Sequence, residues 1–350
     1  MIRFAWMQSR TQALVAFGGL VVVAVVVAVT GPHLVHLYDT SVATCQARGD
    51  CQTATTAFLN EDHTLGVWLG VLVVAVPGIL GVFWGAPLVA RELETGSFRL
   101  AWTQSVSRKR WLAVKLGVVG LAALAVAGLL SLMATWWSSP IDRVNLNLFG
   151  VFDQRDIVPV GYAAFAFVLG VAAGVVIRRT LPAMATTLAA FVACRLAFNH
   201  WIRPHLIAPV VRNFALSIGG FGSTNGGPFT LIPNPPGIPN AWIISVQIRD
   251  RAGGGLANQY LQKVCPNLGQ PPAPGTGGIP GGGVGARVAP GGANGLQECG
   301  VKLSAMFHEV VTYQPANRYW TFQWYELAIY LVASLILAGV CIWWVRRRLS

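Results

Sequence analysis

Six apolar blocks, each long enough to cross a lipid bilayer as a helix, constrain this chain more than anything else in it. They run over about Ala13–Thr30, Leu65–Phe83, Trp111–Met133, Ile157–Ile177, Leu181–Ala197 and Leu327–Val345. A hydrocarbon layer of about 30 Å needs roughly 20 apolar helical residues. Inside it every backbone amide must find its partner within the segment, which selects helices. The expected fold class is therefore an all-α membrane protein with six transmembrane helices. Composition agrees, since 54% of residues are hydrophobic and only 11% are charged, far from the soluble average. The first block exceeds the h-region of a secretory signal and lacks a small-residue cleavage site, so it reads as an uncleaved span. Pro182 near the start and Arg195 near the end make the fifth block the least regular.

Charge sets the orientation. With the N-terminus inside, the inner segments carry Arg3, Arg10, Arg91, Arg99, Arg108, Lys109, Arg110, Lys115, Arg178, Arg179 and Arg346–Arg348. The short outer loops, 31–64 and 134–156, hold Arg48, Arg143 and Arg155 against seven carboxylates. Lys and Arg accumulate on the cytoplasmic side, so both termini are expected there. The formal charge of +12 does not indicate nucleic acid as a partner. The basic residues mark the ends of apolar segments rather than one soluble face.

The largest polar interruption on the inner side is residues 91–110, between the second and third spans. Glu92 and Glu94 continue the second helix beyond the membrane, and Gly96 offers a left-handed stop. From Ser97 the run SFRLAWTQSVS mixes Phe98, Leu100, Trp102 and Val106 with polar residues, as a short helix lying on the inner face would. The plainer account is a solvated connection with lipid-facing arginines. Lys115 is expected to snorkel to the interface, and Arg195 to snorkel outward.

Elsewhere the sequence offers smaller signals. Pro77 marks a kink in the second span. Small residues spaced by four (Gly66/Gly70, Gly81/Gly85, Gly170/Gly174) permit close helix approach, within one chain or between two. The expected organisation is residues 1–197 with spans one to five, an extracytoplasmic region 198–322, and 323–350 with the sixth span and a basic tail. In the outer region Trp242–Gln247 alternates like a strand. Leu303, Met306, Phe307, Val310 and Val311 follow helical spacing, and 271–292, rich in Gly and Pro, is expected to stay disordered. Cys45 with Cys51, and Cys265 with Cys299, fit two outer disulfides, free thiols being the alternative. His33 and His36 lack a third donor and make a weak metal site, so no metal is assigned.

The arrangement R-E-x-E-x-G-S, then T-Q-S-V-S-R-x-R-W and a closing Lys115, resembles the loop between the second and third spans of ABC type-2 permeases. The six-span plan, the N-terminal segment 1–10, which mixes Ile2, Phe4 and Trp6 with Arg3, Gln8 and Arg10 as an interfacial stretch would, and the basic C-terminus resemble that family too. In detail the chain is similar to actinobacterial members with a long Gly/Pro-rich outer region before the last span. The resemblance implies that Arg91, Glu92, Glu94, Gly96, Arg99, Trp102, Ser105, Arg108, Arg110 and Lys115 form a coupling element docking on an ABC ATPase subunit. It further implies a permease homodimer, export, and residence in a bacterial plasma membrane, the lipid bilayer being the other partner. No cofactor is assigned to the chain, which has no G-x-x-x-x-G-K-[ST] loop; ATP and Mg belong to the partner ATPase. Few fixed charges in the spans suit a hydrophobic or amphipathic cargo.

Two other readings compete. One is a membrane enzyme acting on lipid-linked substrates, using Asp39, Glu61, Asp62, Asp142, Asp153 or Asp156, although no spacing unites these. The other is a membrane anchor or sensor presenting the outer region.

Overall fold

The computed structural model describes residues 2–46, 51–96, 108–144, 147–222, 230–233, 237–251, 253–255 and 301–348. They form two compact units, Met1–Leu206 with Asn317–Ser350, and Ile207–Ala316. The expected disordered stretch 271–292, and with it Cys265 and Cys299, lies outside the described residues.

In the first unit six helices are long and apolar enough to cross a membrane. Helix α1 (Ile2–Leu37) runs into a wider π-helical turn, Tyr38–Ala43. A short α2 (Gln52–Glu61) precedes α3 (His63–Leu80). Helix α3 continues through the π turn Gly81–Gly85 into α4 (Ala86–Thr95). Then come α5 (Arg108–Asp142), α6 (Val158–Ile177), α7 (Thr180–Ala197) and α8 (Tyr319–Arg348). Most extend past the apolar blocks, because a helix need not end where hydrocarbon ends. Pro77 stays inside α3 and is buried; its missing N–H is followed one turn later by the π turn rather than by a break.

Helix α6 is the centre of this unit. The span containing it is 61% buried within the unit, the other five 17–44%. It packs against α3, α4, α5, α7 and α8, as a helix apolar all round must. The small residues of the second and fourth spans meet here. A Cβ on Gly81 would stand 2.5 Å from Ala166 O, one on Gly174 2.6 Å from Ala86 O, and one on Gly170 would strike Gly81 O. The seam is thus intramolecular. Because backbone fills the space, Gly170→Leu is expected to lower stability by about 1–3 kcal/mol or more. Gly117→Leu on α5, where nothing lies within 4 Å, should be tolerated. Thermal unfolding of the detergent-solubilised chain checks both.

The second unit contains a three-stranded antiparallel sheet, order β1-β5-β4, formed by β1 (Val210–Ala215), β4 (Trp242–Asp250) and β5 (Phe307–Gln314). A hairpin of β2 (Ile218–Gly222) and β3 (Thr230–Pro233) stands apart from it. Strand β4 covers the alternation read at Trp242–Gln247. The helical reading after Leu303 needs correcting. Residues 301–306 are helical, but Phe307, Val310 and Val311 belong to β5. Its inward face is Phe307, Glu309, Val311 and Tyr313, a period of two. The buried Glu309 breaks the apolar alternation that would have revealed a strand.

Glu309 Oε1 accepts a hydrogen bond from Ser217 N at 3.0 Å, while Oε2 has no partner among the described residues. Burial raises its pKa above the ordinary glutamate value, and the Ser217 amide only partly opposes this. The native state therefore holds this proton more tightly than the unfolded chain. The resulting stability is complete below the unfolded value and is lost as pH rises through the native one. Glu309→Gln is expected to raise hydrogen-exchange protection of the β5 amides several-fold at pH 7.5 and to leave it unchanged well below the glutamate range. Both comparisons are made with wild type at equal pH.

Candidate functional site

At the end of the first unit carrying the chain termini, the helices flanking residues 97–107 are bound together. Helix α4 ends at Gly96, whose φ of 71° and ψ of 4° are left-handed and suit a residue without Cβ. One turn earlier Glu92, 8% exposed, accepts a charge-assisted hydrogen bond from Lys115 Nζ on α5, itself 3% exposed. The ammonium also lies 4.9 Å from the centre of the Trp111 ring, within cation–π range. Glu94, on an exposed face, accepts from Thr180 N at 3.0 Å and Thr180 Oγ1 at 2.7 Å. It thereby caps the first turn of α7, which has no side-chain cap of its own. One acidic turn thus holds the ends of two further helices. Gln12 on α1 adds a link, donating to Phe83 O in the π turn at 3.2 Å.

A second constellation lies at the opposite end of the spans. Arg203, just past α7, presents Nε and Nη2 to the two oxygens of Glu326 on α8, both at 2.9 Å. This is the forked geometry in which guanidinium and carboxylate interact most strongly. Nη2 also donates to Asp153, in the 3-10 segment Leu148–Gln154 ahead of α6. The Tyr162 hydroxyl of α6 stands 2.5 Å from Glu326 Oε1 and 2.9 Å from Asp153 Oδ1, and its single proton serves one of them at a time. Arg195 of α7 lies 3.4 Å from Asp153 Oδ2 and 3.8 Å from Glu326 Oε1. Its guanidinium stacks on the Tyr162 ring, 3.4 Å from the centre.

Two cations and two carboxylates make a neutral quartet joining the fourth, fifth and sixth spans. Glu326 is fully buried, and the two arginines are 8–9% exposed. Gln323, one turn before Glu326, accepts from Val158 N at 3.1 Å and donates to Phe152 O at 3.3 Å. It so supplies an amide that the start of α6 leaves open. Tyr319 donates to Asp156 at 2.6 Å, and Asp142 pairs with Arg155.

The profile of the ABC-2 membrane transporter related family matches residues 17–203, more than half of the chain and five of its six spans. The chain belongs to that family. No curated protein and no solved structure gives a significant match. The chain is a multi-pass membrane protein, and its family is that of the membrane component of ABC transporters rather than of a catalyst.

In this ABC-2 membrane protein the expected coupling residues other than Gly96, which ends α4, separate into three groups. Arg91, Glu94 and Arg110 are exposed. Glu92 and Lys115 are buried against each other. That corrects the snorkelling expected of Lys115, whose ammonium is held by the Glu92 carboxylate. Arg99, Trp102 and Ser105, with the side chain of Arg108, lie outside the described residues. Cys45 and Cys51 are joined as a disulfide, and among the described residues Cys194 and Cys341 are free thiols. The outward snorkelling expected of Arg195 is likewise corrected, since the side chain turns into the quartet.

Sequence reasoning missed Arg203, Tyr162, Gln323 and Glu326, and weighed Asp153 only as an outer-loop carboxylate and a candidate residue of an enzyme. One signal was present. Glu326 directly precedes the last apolar block, and an acidic residue at a membrane boundary calls for a partner. Among the acidic residues weighed for an enzyme, Asp142, Asp153 and Asp156 are engaged in these structural contacts. Among the described residues no group of three or more His, Cys, Asp or Glu could hold a metal.

Proposed function

We propose that this chain is the membrane-spanning subunit of an ABC exporter in the cell membrane, driven by a separate ATPase subunit. The observation that supports it best is the acidic turn Glu92–Glu94. It fastens α4 to α5 through Lys115 and to α7 through Thr180, on both flanks of residues 97–107. Force applied to that loop by an ATPase would reach three spans at once instead of bending one. Coupling requires two arrangements of the bundle which the ATPase binds differently. The Glu92–Lys115 ion pair and the Glu94–Thr180 hydrogen bonds let the inner end move as a body between them.

The docking contacts themselves fall to Arg99, Trp102 and Ser105, with Arg91, Arg108 and Arg110 steering the approach of the partner and Trp102 as its apolar anchor. ATP and Mg are held by the partner. Two copies of the chain with two ATPases make the working assembly, and the few fixed charges in the spans suit a hydrophobic or amphipathic cargo. The long Gly/Pro-rich stretch before the last span groups the chain with the actinobacterial branch.

The test keeps the Glu92–Lys115 and Glu94–Thr180 links intact and changes only the loop. Arg99→Ala/Trp102→Ala/Ser105→Ala is expected to lower recovery of the ATPase with the tagged chain at least tenfold. The variant should leave the chain's own yield and unfolding temperature unchanged. Undiminished recovery would move docking elsewhere.

A further inference from the structure

The quartet of Arg195, Arg203, Asp153 and Glu326 is neutral, but its hydrogen bonds are not complete. Arg203 donates directly to both oxygens of Glu326, at 2.9 Å each. Arg195 Nη1 stands 3.8 Å from Glu326 Oε1, too far for a hydrogen bond. Nη1 is buried and has no hydrogen-bond partner among the described residues, and the same holds for the Tyr330 hydroxyl and for Asn199 Oδ1. The three belong to one neighbourhood. Asn199 follows Arg195 by one helical turn, and its Nδ2 donates at 3.2 Å to Asp153 Oδ2, the oxygen that Arg195 Nη2 approaches at 3.4 Å. The Arg195 guanidinium stacks on the Tyr162 ring, and the Tyr330 ring lies 5.0 Å from that ring and 5.1 Å from the ring of Phe198. The Tyr330 hydroxyl and the Arg195 guanidinium are near enough to interact electrostatically. Polar groups that face each other beyond hydrogen-bond range are the usual setting for a bridging water.

We infer that internal water completes the quartet, hydrogen-bonded to Arg195 Nη1, the Tyr330 hydroxyl and Asn199 Oδ1. The choice of occupant follows from what the three atoms offer. Nη1 only donates, the amide oxygen only accepts, and the hydroxyl does either. A chloride would serve the donors, leave Asn199 Oδ1 open and add a negative charge beside Asp153 and Glu326. A sodium ion would serve the oxygens, leave Nη1 open and add a positive charge beside two guanidinium groups. An apolar filling would leave all three open, which is costly for buried groups. Water donates and accepts without changing the charge, and about three partners are usual for it in protein interiors. Arg203 thus grips α8 directly, while Arg195 reaches Tyr330 of α8 through water. The inference concerns the chain alone, so it stands or falls apart from the exporter reading.

The experiment is hydroxyl-radical labelling of the full-length chain in nanodiscs, the radicals being made from water by a short X-ray pulse. Such radicals react close to where they form, so a buried ring is labelled only beside a bound water. Phe198 and Phe167 share one chemistry and are 4% and 2% exposed. Of the two, Phe198 is the one whose ring packs on Tyr330. Phe198 is expected to take several-fold more label than Phe167, and Tyr330 to be labelled with it. Labelling of Phe198 no greater than that of Phe167 overturns the proposal. Tyr330→Phe takes a partner from the water, so it should lower the unfolding temperature and reduce the label on Phe198. A rise in unfolding temperature would mean that the hydroxyl is dry and unpaired, since losing an unsatisfied buried group is stabilising, and would overturn the proposal too. Wild type is also unfolded with chloride replaced by gluconate, and with sodium replaced by N-methylglucamine. Unchanged unfolding temperatures are expected; a fall in either exchange would put a small ion in the water's place and overturn it.

Discussion

Replacing Glu326 by Gln is expected to destabilise the chain by about 3–5 kcal/mol, the usual consequence of leaving a buried charge without its partner. Glu326 answers both oxygens to Arg203 and lies near Arg195. Without its charge two guanidinium groups share Asp153 alone. Native proteins are stable by only about 5–15 kcal/mol, so the variant should be recovered poorly and unfold early in detergent. The companion result separates charge from packing. Arg203→Met combined with Glu326→Leu removes one charge of each sign, leaves Arg195 with Asp153, and should recover much of the loss, because apolar replacement of a buried pair is often close to neutral. A double-mutant cycle on unfolding temperature reads the coupling. Additive effects would mean that the quartet is not a unit.

The second large effect is expected at the other end of the spans. Lys115→Met leaves Glu92 buried beside an apolar chain, and Glu92→Gln leaves Lys115 as a buried cation over Trp111. Each should destabilise the chain by about 3 kcal/mol or more. The exchange Glu92→Lys/Lys115→Glu keeps one charge of each sign and should restore at least half of that. If coupling runs through this link, the single variants lose stimulated ATP turnover by the partner even at temperatures where they remain folded, and the exchanged pair regains it. Surface charges would behave differently, since exposed pairs contribute about 0–1 kcal/mol. Losses in that smaller range would return Lys115 to the interface.

The contrast between these two ends shows what a sequence of this kind displays. The six spans were legible because apolar length leaves hydrocarbon-buried backbone one solution. Gly96 was legible as a stop because glycine takes the left-handed backbone of a helix end without a Cβ clash. The glycine pairs of the second and fourth spans were visible as a pattern, but that Gly81 and Gly170 meet each other depends on the bundle's arrangement. The quartet was hidden because its members are scattered over Asp153, Arg195, Arg203 and Glu326, none within helical reach of its ionic partner. Lys115 and Arg195 were both assigned to snorkelling, the default for a long cation near a span's end. A buried carboxylate from another helix overrides that default in each case. Strand β5 was misread because Glu309 occupies an inward position that an apolar residue would have marked.

This ABC-2 membrane protein is proposed to work with a separate ATPase. The most direct measurement is to draw the tagged full-length chain from its native membrane into nanodiscs, identify what comes with it, and measure ATP hydrolysis. An ABC ATPase subunit is expected in near-equal amount, with turnover that disappears when that subunit is stripped away. A folded chain recovered without any ATPase, in nanodiscs and in detergent alike, would contradict the proposal.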